Sequence, residues 1–173
     1  MRDLTITLVQ IDQAWENKKQ NIALINDLLS SDFKTDLIIL PEMFNTAFSM
    51  NAIELSEDIE NSEGIQQLKN WARQKNAAIY TSLMIKEADK FYNRGCFVYP
   101  DGEICYYDKR KLFTLGGEEL IFTAGSAIQI ARAKNAMNNN NVVSTLSVQR
   151  RKTVIRGPAK LYVTPIDDGS QSA

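Results

Sequence analysis

The run Leu37-Ile38-Ile39-Leu40 narrows the fold more than any other stretch. It is four consecutive aliphatic residues, closed by Pro41 and followed at once by Glu42. An apolar run without polar alternation suits a strand covered on both faces. Proline has no N–H for a ladder, so the strand is expected to stop there. Glu42 then stands at the C-terminal end of a buried strand, where open α/β sheets collect ligands. A solvated loop carboxylate is the plainer reading of the same residue.

The flanking segments supply the layers such a strand needs. The segment 4–10, "LTITLVQ", alternates and is rich in β-formers, which predicts a first strand. Ile22, Ile25, Leu28 and Leu29 recur at helical spacing, as do Ile65, Leu68, Trp71 and Ala72, with Ser62 as N-cap of the second helix. "AAIYTSLMI" (77–85) predicts a third strand. Phe91 to Tyr99 and Glu103 to Tyr107 flank Pro100-Asp101-Gly102, a hairpin signal. The order β-α-β-α-β plus hairpin implies a layered α/β domain. Trp71, Phe97 and Tyr99 read as core residues.

Composition excludes several chemistries. The chain has 173 residues, enough for one domain with a real core, and a net charge of -1. That charge gives no whole-chain attraction to nucleic acid or membrane. No apolar run is long enough for a membrane span, and the N-terminus reads as a strand and not as a signal peptide. Cys96 and Cys105 are the only cysteines, which fits a reducing, cytoplasmic setting. There is no histidine. This removes Ser-His and Cys-His catalysis and most zinc sites, and leaves proton transfer to carboxylate, lysine, tyrosine or cysteine.

The pattern changes after about Ser126. Residues 1–130 hold 13 Lys+Arg against 19 Asp+Glu, whereas residues 131–173 hold 7 against 2. The second part also carries an Asn run and a Gly/Ser-rich end. It is expected to be a basic tail, poorly ordered or loosely packed, running over 128–173. Its one cluster, "QRRK", has no interleaved aromatics, so a nucleic-acid partner is not expected.

Two stretches bear on Glu42. Lys109 follows the hairpin's second strand, and Lys111 would share its side if the strand continued. Glu118 and Glu119 follow Gly116-Gly117. A carboxylate and a lysine meeting in a partly buried pocket can take a proton from a nucleophile and stabilise an oxyanion. A surface ion pair of little consequence is the alternative, and spacing alone does not decide between them.

"LTITLVQ", "LIILPEMFNTAFSM" and "NRGCFVYPDGEICYYDKRKLF" together resemble the nitrilase (carbon–nitrogen hydrolase) superfamily, and most closely its ω-amidase-like branch. The resemblance spans about residues 1–127. It implies the N-terminal part of an αββα four-layer sandwich, here incomplete, which usually dimerises through the sandwich. It also implies hydrolysis of a small-molecule amide, with release of ammonia, by a Glu-Lys-Cys triad without metal or organic cofactor. Carried over by position, Glu42 matches the general base and Lys109 the oxyanion-holding lysine. Glu118 matches a supporting glutamate, with Glu119 adjacent to it. Lys111 stands where this branch commonly has histidine.

The family's nucleophile, a cysteine in a motif like "CYDLRFP" some tens of residues after the lysine, has no counterpart: no cysteine follows Cys105. Cys105 lies four residues before Lys109 on one predicted strand, several ångströms back from the Glu42 pocket, and Cys96 reads as a small strand hydrophobe. No nucleophile is therefore assigned. The expectation is a partial domain over 1–127, inactive alone, with one sheet face left uncovered. A non-catalytic subunit-pairing module is the alternative. A frameshift, early stop, splice variant or fusion would produce such a chain. Sequencing the downstream coding region is expected to uncover an out-of-frame "CYDLRFP"-like peptide if a frameshift is the cause. Its absence from every frame removes that explanation.

Overall fold

The computed structural model describes residues 5–127, together with the backbone of three strands at 131–132, 145–149 and 152–156. The chain runs β1 (Ile6–Leu8), α1 (Lys18–Ser30), β2 (Leu37–Ile39), α2 (Ala52–Leu55), β3 (Glu57–Asp58), α3 (Glu63–Lys75), β4 (Ala78–Glu87), β5 (Lys90–Val98), β6 (Ile104–Asp108) and α4 (Glu118–Ile121). These strands form one sheet in the order β1-β2-β4-β5-β6, with β3 beside the far end of β4. β1, β2 and β4 are parallel, and β5 and β6 return antiparallel. β7 (Ala131–Arg132), β8 (Thr145–Gln149) and β9 (Lys152–Arg156) pair antiparallel in a sheet of their own. The rest of the expected tail lies outside the described residues.

Alternation along the strands sends side chains to two apolar faces. On one face Ile38, Leu40, Ile79, Leu83, Cys96 and Val98 meet Ile25 and Leu29 of α1 and Ile65, Leu68, Trp71 and Ala72 of α3. Asn17 caps α1 by accepting from the Gln20 N–H, and Ser62 caps α3 by accepting from the Ile65 N–H. Asn76, left-handed at φ 47°, ends α3. On the other face Ile6, Leu37, Ala78, Phe97 and Tyr99 cluster, each at most 5% exposed. Leu8, Ile39, Tyr80 and Cys105 pack against this cluster and are only partly buried.

The hairpin β5–β6 was legible, but β4–β5 was not. Those two strands form a nine-pair antiparallel ladder from Ile79↔Val98 to Glu87↔Lys90. Their turn, Ala88-Asp89, carries none of the usual Gly or Asn signals, and Ala88 itself adopts φ 52°. The ladder extends β4 two residues beyond the apolar run. α2, β3 and α4 are too short for periodicity to reveal.

Leu68 is fully buried on α3 among Ile25, Trp71 and Leu83 in one core cluster. Leu68→Ala is expected to lower unfolding free energy by about 2–5 kcal/mol in urea titration, as deletion of a close-packed core side chain does.

Candidate active site

Glu42 is placed by a loop that the neighbouring strand holds. The Leu40 N–H bonds the Tyr80 carbonyl at 2.9 Å, continuing the β2–β4 ladder one residue past β2. The Thr81 hydroxyl then donates to the Pro41 carbonyl at 2.6 Å, and the Met43 N–H donates to the Ser82 hydroxyl at 3.0 Å. Proline ends the ladder, and β4 side chains take over the next two backbone groups. Met43 and Ala47 turn the chain through the left-handed region at φ 49° and 59°. Non-glycine residues rarely sit there, and such strain clusters at functional loops.

A polar scaffold lies behind this loop. Asn21 of α1 is fully buried; its amide donates to the Ala14 and Asn45 carbonyls at 2.8 and 3.0 Å. The Asn45 amide donates to Glu57 at 2.8 Å. Glu57 also accepts from Ser62 and from the Gly64 N–H, and pairs with Lys18 at 2.9 Å. Burial alone would raise the Glu57 carboxyl, but Ser62, the Gly64 N–H and Lys18 outweigh it and hold its pKa below the ordinary 4.5.

The three expected carboxylate and lysine residues meet. Lys109 Nζ lies 2.7 Å from Glu42 Oε1 and 2.8 Å from Glu118 Oε2. Its ammonium also sits 5.0 Å from the centre of the Phe48 ring. The Glu118 side chain has no solvent exposure, that of Lys109 has 23%, and that of Glu42 has 47%. Glu118 belongs to the four-residue α4, after Gly117 at φ 70°, and its Oε2 also accepts from the Phe113 N–H at 2.6 Å. Of the adjacent pair, Glu118 is the buried partner and Glu119 is exposed. Lys111 does not join them. β6 ends at Asp108, the chain bends, and Lys111 is exposed.

Asn93 of β5 is a member of the cluster that the motif reading did not single out. It is 2% exposed, and its amide donates to Glu42 Oε1 at 2.7 Å and to Glu118 Oε1 at 2.8 Å. The available signal was an asparagine within an otherwise β-forming strand, since a buried amide must find partners.

Neither cysteine joins the cluster. Cys96 is fully buried on the helix-covered face, where burial pushes its thiol up to about 12. Such a thiol is not a thiolate at neutral pH. Cys105 pairs across from Phe97 and packs in the opposite-face cluster. It lies about 13 Å back along the strand from Lys109. On the helix-side face, Arg94 braces β5 to β6 next to Lys109 by binding Asp108 through Nε and Nη2 at 2.6 and 3.0 Å, and Glu87 at 2.6 Å. Burial opposes the Arg94 charge, but these two carboxylates raise its pKa overall. Among the described residues no group of His, Cys, Asp and Glu could hold a metal ion, and no helix is long and apolar enough to cross a membrane.

Residues 5–142 match the family described as carbon-nitrogen hydrolase. The chain belongs to that family. Omega-amidase YafV of Yersinia enterocolitica is 38% identical over 125 residues, covering 72% of this chain and 48% of that protein. The 2-oxoglutaramate amidase of Bacillus subtilis is 26% identical over 125 residues, covering 70% and 48%. The crystal structure of XC1258 from Xanthomonas campestris, a CN-hydrolase superfamily protein with an arsenic adduct in its active site, superimposes with a TM-score of 0.73. It is 35% identical and covers 78% of this chain and 51% of that one. The chain thus spans about half the length of these carbon–nitrogen hydrolases, and its mixed sheet is the N-terminal part of the nitrilase-type fold.

Glu57 also allows a pH test. Its folded pKa is depressed, so its contribution to stability is fully present above the unfolded value of 4.5 and is lost as pH falls through the folded one. Denaturant melts of the wild type are expected to lose stability more steeply below that pH than those of Glu57→Gln. Parallel curves would remove the assigned donors as the cause.

Proposed function

We propose that Glu42, Lys109 and Glu118 form the base-and-oxyanion part of a site for hydrolysing short-chain carboxylic amides, ω-amidase-like in substrate class and cytoplasmic in setting. The observation that carries this reading is Lys109 Nζ held between two carboxylates at 2.7 and 2.8 Å, at the end of a buried strand. An ammonium has three donors. Two are used here, which leaves one for the carbonyl oxygen of an amide. The names omega-amidase and 2-oxoglutaramate amidase among the relatives favour a monoamide of a short dicarboxylic acid.

In this reading Glu42 accepts the proton of a cysteine thiol, and the thiolate attacks the amide carbon. The oxyanion that forms lies against Lys109. Collapse returns the proton to nitrogen and expels ammonia, leaving a thioester. Water, deprotonated by Glu42, then hydrolyses the thioester to the acid and restores the thiol. The 173 residues supply the base and the oxyanion donor but place no thiol at them. The reading therefore assigns amide binding to this chain and turnover to a site that also has the cysteine. The family-like part is taken to end near residue 127, where composition changes, and the family match extends to 142.

A second reading, a non-catalytic module that pairs with another chain, is favoured by exposed apolar residues beside Glu118. Leu115 is 91% and Leu120 81% exposed. One experiment addresses both readings: ammonia release from 2-oxoglutaramate and succinamate by sized fractions of the purified chain, with amide binding followed in parallel by NMR. The expected result is amide binding that Lys109→Ala abolishes, without ammonia release above background. Release that disappears in Cys96→Ala or Cys105→Ala would overturn the missing-nucleophile reading. A monomer at all concentrations would overturn the pairing module.

A further inference from the structure

Asn93 uses one NH2 group on two carboxylates. That group has two protons. The distances of 2.7 and 2.8 Å assign one to Glu42 Oε1 and one to Glu118 Oε1. Only the nitrogen end of the amide can face this pair, because the oxygen end would set a third acceptor against two acceptors. Lys109 closes the ring from the other side, donating to the same Glu42 Oε1 and to Glu118 Oε2. Glu42 Oε1 thus accepts two of these bonds. Oε2 accepts neither, on a side chain that is 47% exposed.

We propose that Asn93 is a positioning residue for this site. It fixes the Glu42 carboxylate through Oε1 and so presents Oε2 as the oxygen that takes the proton. Because it binds both carboxylates, it also spaces them so that one lysine can serve both. The backbone contributes to the same geometry: the Lys109 N–H bonds the Asn93 carbonyl at 3.0 Å, so the asparagine and the lysine are registered to each other. The inference deepens the amide-binding reading and rests on it for its functional part.

The test uses the full chain. In a 15N-labelled sample both Asn93 side-chain protons are expected downfield of ordinary asparagine amides, as protons donated to carboxylates. Glu42→Gln is expected to move one of them and Glu118→Gln the other. An Asn93 pair that ignores Glu42→Gln would overturn the proposal, whatever the chain binds. Asn93→Ala is then expected to weaken succinamate binding by at least about tenfold, the loss that follows from removing hydrogen bonds to charged groups. Leu68→Ala, destabilised in the remote core, is expected to bind as wild type does. Equal losses in the two variants would reduce Asn93 to a structural role and overturn the positioning claim. If the wild type binds no amide, the amide-binding reading fails, and the side-chain proton result alone decides whether Asn93 holds the two carboxylates.

Discussion

A carboxylate with no solvent exposure, Glu118, sets the terms for the rest of the site. A buried ion left unpaired costs several kcal/mol, so it needs donors that arrive with good geometry. It has three: Lys109, Asn93 and the Phe113 N–H. These come from the end of β6, the middle of β5 and the turn before α4. The β5–β6 register must therefore be correct before the charge is compensated, and Arg94, bound by Asp108 and Glu87, supports that register from the other side of the sheet. Gly125 fits the same arrangement. A Cβ there would lie 2.3 Å from the Asp108 carbonyl oxygen, so only glycine lets this segment pass so close to the end of β6.

Glu42 is held differently. Its own loop is strained at Met43 and Ala47, and hydrogen bonds from three elements hold it: Thr81 and Ser82 of β4, Asn21 of α1, and Glu57 of β3 through Asn45. Such a polar scaffold orients groups more sharply than apolar contact, because each bond has a direction. The arrangement is not free of cost, since Asn45 Oδ1 is buried without a hydrogen-bond partner. The result is a carboxylate that is half exposed but anchored at one oxygen, beside one that is buried and anchored at both.

The chain brings these groups together in about half the length of its relatives, which places it among the carbon–nitrogen hydrolases as a partial fold. Both cysteines lie away from the cluster. Cys96 has a protonated thiol on the far face, and Cys105 lies about four strand residues from Lys109. The cluster of Glu42, Lys109, Glu118 and Asn93 is drawn from the loop after β2, the residue after β6, α4 and the middle of β5, and neither thiol lies at it.

Several features were legible in the residues themselves. The aliphatic run before Pro41 marked β2, the 3.6-residue spacing marked α1 and α3, and Pro100-Asp101-Gly102 marked the β5–β6 turn, because these are local preferences of backbone and side chain. Glu42, Lys109 and Glu118 could be named from motifs. Other features were decided by the fold. The β4–β5 ladder turns at an alanine held at positive φ by its strands. The choice of Glu118 over Glu119 is a matter of which side chain α4 directs inward. Lys111 leaves the site because the strand ends before it. Asn93 joins because β5 places its amide between two carboxylates that are 76 residues apart in sequence. Sequence determined which residues could ionise, turn or pack, since those are properties of single residues and their near neighbours. Only tertiary structure decided which of them share a donor, because hydrogen bonding and burial depend on what distant segments bring within about 3 Å.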